Sequence, residues 1–359
     1  MSDFFHTFNA VRGIQAGRPC YIAMCPMRII PKIFVFNEDE VPPEIRAQRK
    51  LNKGRIPEMA NYLINNQKDY ILSSLTASID GETEFEPFSN KVGENNIGTF
   101  KISMDAQILI NDGQHRRAAI EAAVKNEAEL GHDHISVVFF LDNGLKKSQQ
   151  MFADLNKHAV RPSPSLSTLY DQREELSNIA RRVMNDVHIF SKLTETELTS
   201  ISNRSIKLFT LSSIKNANKA LLNKGKNDHI SEDEVQSAID YWKYISSNIR
   251  DWNLASERQV NSWELRETYI HSHGVLLHAL GILGSQIIHN KDSWVALDQL
   301  SSIDWSRNSK LWKGRAVVNG RITKSISNVK LTASQIKMQI GMELTTDELE
   351  REKEFKANA

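Results

Sequence analysis

The sequence predicts a mixed α/β domain followed by an all-α domain, and three observations carry that expectation. Over residues 1–165, short runs rich in Ile, Val and Phe alternate with helix-like segments. After Ser165 the apolar spacing is almost wholly helical, with candidate helices over 166–189, 212–223, 231–248 and 263–288. Between the two patterns stands Arg161-Pro162-Ser163-Pro164, a run that ends a helix and marks a domain boundary. The expected organisation is an α/β domain over 1–165, a helical domain over 166–344 and a charged, solvated helix or tail over 345–359.

Within the first domain, residues 21–23 and 29–36 read as strands interrupted by Pro26 and Pro31. A helix is expected from Ile56, because Pro57 suits the first turn and Glu58 favours the positive helix end. Residues 72–79 form the next strand, ended by Asp80-Gly81, and residues 85–98 read as a loop. Residues 107–110 then predict a strand, Asn111-Asp112-Gly113 a turn, Gln114 the start of a helix, and 135–141 a further strand. Such a β-turn-α-β unit implies a parallel strand pair joined by a right-handed crossover. A helix over 145–158 completes the domain. In the second domain, Ser231 followed by Glu234 predicts a capping box.

Composition sets the bounds on function. The chain has 359 residues, is 40% hydrophobic, and balances 45 Lys and Arg against 44 Asp and Glu, as an ordinary globular protein does. Its two cysteines, Cys20 and Cys25, argue against a disulfide framework, a structural zinc or an iron–sulfur cluster. They read as buried strand residues in a reducing compartment. The N-terminus has no basic region leading into an apolar stretch, so no signal peptide is expected. The longest apolar run, 274–288, falls short of the roughly 18 residues of a membrane span and carries His278. A cytoplasmic protein with no membrane contact is therefore expected.

Charge is segregated along the chain although its sum is only +1. Residues 203–226 hold six basic residues and no acid, and residues 305–337 hold eight basic residues and no acid. Segregation of this kind is what an electrostatic footprint for nucleic acid would produce, and a solvated surface produces it too. The candidate phosphate contacts in these stretches are Arg204, Lys207, Lys215, Lys310, Lys313, Arg315, Arg321 and Lys324. Trp305 and Trp312, interleaved with these cations, either stack on bases or pack in the core.

The most informative string is Asp112-Gly113-Gln114-His115-Arg116-Arg117, placed where a strand feeds a helix. Free N–H groups and the positive helix end converge at such a turn, which makes it an anion site. Gly113 permits close backbone approach, Arg116 and Arg117 can fork onto phosphate oxygens, and His115 can donate to an oxygen or move a proton. Asp112 either caps the helix, binds Mg²⁺ or orients water. Two arginines at a helix start oppose the dipole, which favours a functional site over a decorative first turn. Arg49, Arg55 and Glu58 bracket the start of another helix and either form the far wall of the same pocket or are the exposed charges common at a helix start. Phe152, Asp154, Asn156, Lys157 and Arg161 form a second polar cluster, in which Asn156 either contacts the ligand or ends a helix. His271, His273 and His278 lack a carboxylate neighbour in sequence and read as satisfied or exposed histidines rather than zinc ligands.

These residues carry a family resemblance. The motif DGQHRRAAI resembles the DndB family of DNA phosphorothioation clusters, as do Arg12-Gly13-Ile14-Gln15-Ala16-Gly17-Arg18-Pro19, Arg55-Ile56-Pro57-Glu58-Met59-Ala60 and 203–210. In those clusters sulfur replaces a non-bridging oxygen of the DNA backbone. The resemblance implies a DNA-binding regulator that represses its modification operon. Its expected partners are duplex DNA of the promoter, other phosphorothioation proteins and further copies of the chain. The motif is also similar to the ParB and sulfiredoxin superfamily, whose mixed sheets place nucleotide phosphates on a Gly-x-His/Arg-Arg turn, matched here by Gly113, Gln114, His115 and Arg116. That likeness implies a bound ATP or other NTP with Mg²⁺, for which Gly113 to Arg117, Arg55, Glu58 and Asn156 are the candidate contacts. Sulfiredoxin has its reactive Cys where this chain has Gln114, which excludes thiol chemistry at the turn; ParB has Arg where this chain has His115, which leaves the nucleotide open. Two other readings stay on the table. One is an NTPase or DNA-nicking enzyme using Asp112 and His115 as catalytic groups, with Asp112 on the metal; the other is a scaffold for the modification enzymes.

Overall fold

The computed structural model describes residues 4–34, 53–143, 147–157, 162–225 and 228–357. The chain divides into two compact units, Met1–Val160 and Arg161–Ala359.

The first unit is built on β1 (Phe5–Gln15), β2 (Arg18–Pro26), α1 (Ile30–Ile33), α2 (Ile56–Asn65), β3 (Leu75–Asp80), β4 (Thr83–Pro87), β5 (Ile97–Ser103), β6 (Gln107–Asp112), α3 (Gln114–Asn126), β7 (His134–Leu141) and α4 (Ser148–Lys157). Seven strands form one sheet in the order β4-β5-β1-β2-β7-β3-β6. Every pairing is antiparallel except β3 with β7, where Ala77 faces Phe139 in parallel register. Period-two alternation sends Phe8, Tyr21, Phe100 and Phe139 to one face, where Tyr21 stacks on Phe100 with ring centroids 4.1 Å apart. Ile120 and Ala123 of α3 and Leu63 of α2 close that core. On the other face α4 packs against β6, and Met151 meets Asn111 and Ser78.

Three expectations are corrected in this unit. Residues 29–33 are helical rather than extended, because Pro31 falls in the first turn of α1, where a missing N–H costs nothing and φ is preset; Phe34 returns to an extended backbone, and Val35 and Phe36 lie outside the described residues. The 85–98 segment is not all loop: Phe85 faces Phe100 and Pro87 faces Gly98 across β4 and β5, with Pro87 tolerated on the edge strand. Strands β6 and β7 do not pair, since β3 lies between them, antiparallel to the one and parallel to the other. The buried run Leu75, Ala77, Ser78 and Ile79 suits β3 to that interior position.

The second unit comprises α5 (Pro164–Tyr170), α6 (Glu175–Asp186), α7 (His188–Leu193), β8 (Thr194–Glu195), β9 (Phe209–Thr210), α8 (Leu211–Leu222), α9 (Glu232–Ser247), α10 (Arg250–Ser256), α11 (Ser262–Thr268), α12 (Gly274–Gly284), β10 (Val317–Val318), β11 (Arg321–Ile322), α13 (Ile326–Gln339) and α14 (Thr346–Ala357). Its core is aromatic: Phe190, Phe209, Trp242 and Trp252 are buried and meet edge-on or tilted, with Phe209 and Trp252 centroids 5.1 Å apart. The buried Trp242 indole donates to Asn218 Oδ1 at 3.0 Å. The Ser231 and Glu234 capping box is present at the start of α9.

Two expected long helices are interrupted. The one over 166–189 breaks into α5, α6 and α7, because Asp171 accepts from the backbone N–H groups of Arg173 and Glu174 and so competes with the helix. The one over 263–288 breaks at 269–273, where Tyr269 bridges to Ser306 and Ile270 N–H donates to the Trp305 carbonyl. The C-terminal segment is a helix, yet not a merely solvated one. Glu348 and Glu352 of α14 are buried, and pair with Lys337 at 2.5 Å and with Arg315 at 2.5 and 2.6 Å.

Candidate functional site

At the DGQHR turn, Gly113 caps α3 in the left-handed region at φ 105°. A Cβ there would lie 2.4 Å from Leu75, so the turn requires glycine on two counts. Gln114 is buried and donates to the Ile110 carbonyl at 3.3 Å, a structural use rather than a ligand contact. Arg116 donates to Asp112 at 2.5 Å and to the Ser74 carbonyl at 3.0 Å. Arg117 donates to Glu121 at 2.5 Å and to the Pro31 carbonyl at 3.0 Å. Each arginine thus finds an acid one turn away, which offsets the repulsion from the helix dipole. His115 is half-buried beside them.

The satisfaction is incomplete. Asn111 Oδ1, Arg116 Nε and Arg117 Nε are buried without a partner. Orphaned donors on two arginines at the positive end of a helix suit a phosphate group, which can accept from several donors together. Asp112 is already committed to Arg116, and among the described residues no three His, Cys, Asp or Glu side chains gather to hold a metal. The arrangement therefore fits a phosphate better than it fits a protein-held Mg²⁺.

Arg55 and Glu58 stand exposed at the start of α2, which packs along α3. Asn156 lies within α4, but its side chain is outside the described ones, as are Arg49 and Arg161 entirely. Asp154 accepts from Gln150 at 2.7 Å. Cys20 and Cys25, five apart on β2, point to opposite faces of the sheet, and burial pushes the Cys25 thiol up to about 12. They form no redox pair.

The family model described as DndB, DNA-sulfur modification-associated, matches residues 8–343. The chain belongs to the DndB family. Its function accordingly lies in DNA sulfur modification. No curated protein and no solved structure matches the chain.

In this DndB-family protein the eight candidate DNA contacts divide by environment. Arg204, Lys310, Lys313, Arg321 and Lys324 are exposed, and no ion pair engages them among the described residues. Lys207 is half-buried and donates to the Lys192 carbonyl at 2.8 Å. Lys215 pairs with Glu174. Arg315 is 5% exposed, forks onto Glu352 and lies over the Phe355 ring, so it serves the core rather than DNA. Trp305 and Trp312 are buried and stacked 5.3 Å apart, with their indole N–H groups on the Leu300 and Asp304 carbonyls; they do not offer faces to bases.

The three histidines do not converge either. His271 is fully buried against Asp251 at 2.9 Å, a carboxylate twenty residues away that sequence proximity does not reveal. His273 donates from Nε2 to the Arg266 carbonyl at 2.8 Å. Burial, helped by the charges of Arg307, Lys324 and Arg266, pushes His273 down to about 4. Arg266 and His273 border a cleft also lined by Arg307, Arg321 and Lys324. Sequence reasoning missed this grouping, since its members come from separate segments and Arg266 is flanked by Glu264 and Glu267.

Proposed function

We propose that the protein is a DNA-binding regulator, a repressor of its own sulfur-modification operon, that takes duplex DNA on the helical unit. The observation carrying this reading is the set of five exposed cations, Arg204, Lys310, Lys313, Arg321 and Lys324, that have no ion-pair partner among the described residues of a protein tied to DNA sulfur modification. Phosphate contacts position such a protein on DNA, and base-edge contacts add the preference for one promoter. The turn at 203–205, which carries Arg204, supplies the polar side chains of Asn203 and Ser205 for that second task. The DGQHR turn takes a nucleotide phosphate as a regulatory ligand, with any Mg²⁺ arriving on the nucleotide. Commitment of Asp112 to Arg116 favours that role over the NTPase or nickase alternative, in which Asp112 must be free to hold metal or water.

A mobility-shift titration with the operon's promoter fragment and an unrelated duplex of equal length tests the reading. The promoter fragment is expected to bind at lower protein concentration. Equal retardation of both duplexes removes the repressor role, and retardation of neither removes DNA binding altogether.

A further inference from the structure

We infer that the cleft beside the start of α12 seats one phosphoryl group, a backbone phosphate of duplex DNA. The inference rests on the DNA-binding reading above and gives it a specific contact point.

The cleft has a volume of about 410 Å³ and is walled by parts of 199–213, 266–274 and 307–324. That volume falls within the roughly 300–1,000 Å³ usual for small-ligand sites. Its charge is one-sided: Arg266, Arg307, Arg321 and Lys324 face a single carboxylate in the lining, that of Glu267. The two inner arginines are oriented by carbonyls rather than neutralised by acids. Arg266 donates to the carbonyls of Ser202, Asn203, Ser205 and Lys207, and so holds the turn that carries Arg204. Arg307 donates to the Glu267 carbonyl at 3.0 Å and the Gly320 carbonyl at 3.1 Å. Carbonyl dipoles fix a guanidinium in place while leaving its full charge to act on a ligand. Arg321 and Lys324, on and just after β11, are exposed and have no ion pair among the described residues.

A helix start adds to this field. His273 at the N-cap of α12 gives no side-chain cap, and the first turn of the helix has no acid. The positive end of an 11-residue helix is thus left open at the cleft wall, where Gly274 lines it. A Cβ on Gly274 would come within 2.4 Å of Ser213 Oγ and 3.7 Å of Lys324 Nζ. Glycine therefore lets the helix start, a hydroxyl and an ammonium crowd to one spot. Donors of three kinds around one cavity match the several acceptor oxygens of a phosphodiester.

Fluorescence anisotropy of the full chain with a mixed-sequence duplex tests the assignment, using wild type, the Arg321→Ala/Lys324→Ala double variant and the charge-conserving Arg321→Lys. Calorimetric titrations with ATP and with inorganic phosphate run alongside. The double variant is expected to bind duplex roughly tenfold to a hundredfold more weakly. Its salt dependence should be shallower by about 1.8 in log–log slope, and Arg321→Lys should keep the wild-type slope. Unfolding midpoints should not move, because both side chains are exposed. A double variant with wild-type duplex affinity and slope overturns the cleft assignment while leaving the DNA-binding reading in place. Duplex refused by wild type, with ATP or phosphate bound and lost in the double variant, overturns the DNA source and keeps the phosphoryl site. Wild type refusing all three ligands overturns both.

Discussion

Arg315 and Arg321 stand six residues apart in one acid-free stretch, and burial sends them to opposite tasks. Arg315→Ala leaves Glu352 buried and unpaired, so a loss of about 3–5 kcal/mol in denaturant unfolding is expected. Arg321→Ala should stay within about 0.5 kcal/mol of wild type in the same measurement. Neither outcome is legible in sequence, because the acid that claims Arg315 lies 37 positions away on α14. His273 supplies a pH signature. Its folded value is depressed from 6.5 to about 4, so between those values the unfolded ring binds a proton that the folded ring refuses. The contribution of about 3 kcal/mol is complete above pH 6.5 and lost as pH falls towards 4. Urea midpoints at pH 7 and pH 4.5 should therefore separate more for wild type than for His273→Gln. At the DGQHR turn, Arg116→Ala should weaken ATP binding about tenfold to a hundredfold by calorimetry. Asp112→Ala should leave binding intact or tighten it, since it frees Arg116; ATP turnover lost in that variant would instead support the enzyme reading.

Local signals at the level of elements survived folding wherever the chain satisfies itself. Ser231 and Glu234 announce a capping box, and both of its hydrogen bonds are made. Ser231→Ala is expected to cost about 1 kcal/mol in denaturant unfolding. Gly113 likewise announces the turn it occupies. Where the partner is distant, the local pattern misleads: the apolar spacing over 263–288 is helical throughout, yet the backbone at 269–270 is taken by 305–306. The β6-α3-β7 unit was recognisable as elements but not as neighbours, since nothing in it says that β3 enters between the strands. Helix α14 teaches the same lesson from the other side. Its charge density suggests solvent, whereas two acids spaced four apart fall on one face and meet buried cations. Replacing Glu348 and Glu352 with Ala should destabilise the protein by several kcal/mol, because Arg315 and Lys337 would then stay covered by α14 without counter-charges.

For the whole molecule, the division into an α/β half and a helical half, the strand-turn-helix around Gly113 and the uneven charge were all visible in the sequence. The cleft that gathers Arg266, Arg307, Arg321 and Lys324 was not, because those four residues, spread over 58 positions, meet only once the separate segments are folded together. Membership of the DndB family ties the protein to DNA sulfur modification, and the proposed contact with DNA rests on the exposed cations. The most direct measurement is duplex affinity of the full chain as a function of salt. Five phosphate contacts at about −0.9 each predict a log–log slope near −4.5, so raising salt from about 50 to 200 mM should weaken binding several hundredfold. Binding that ignores salt, or no binding at about 50 mM, would contradict the account.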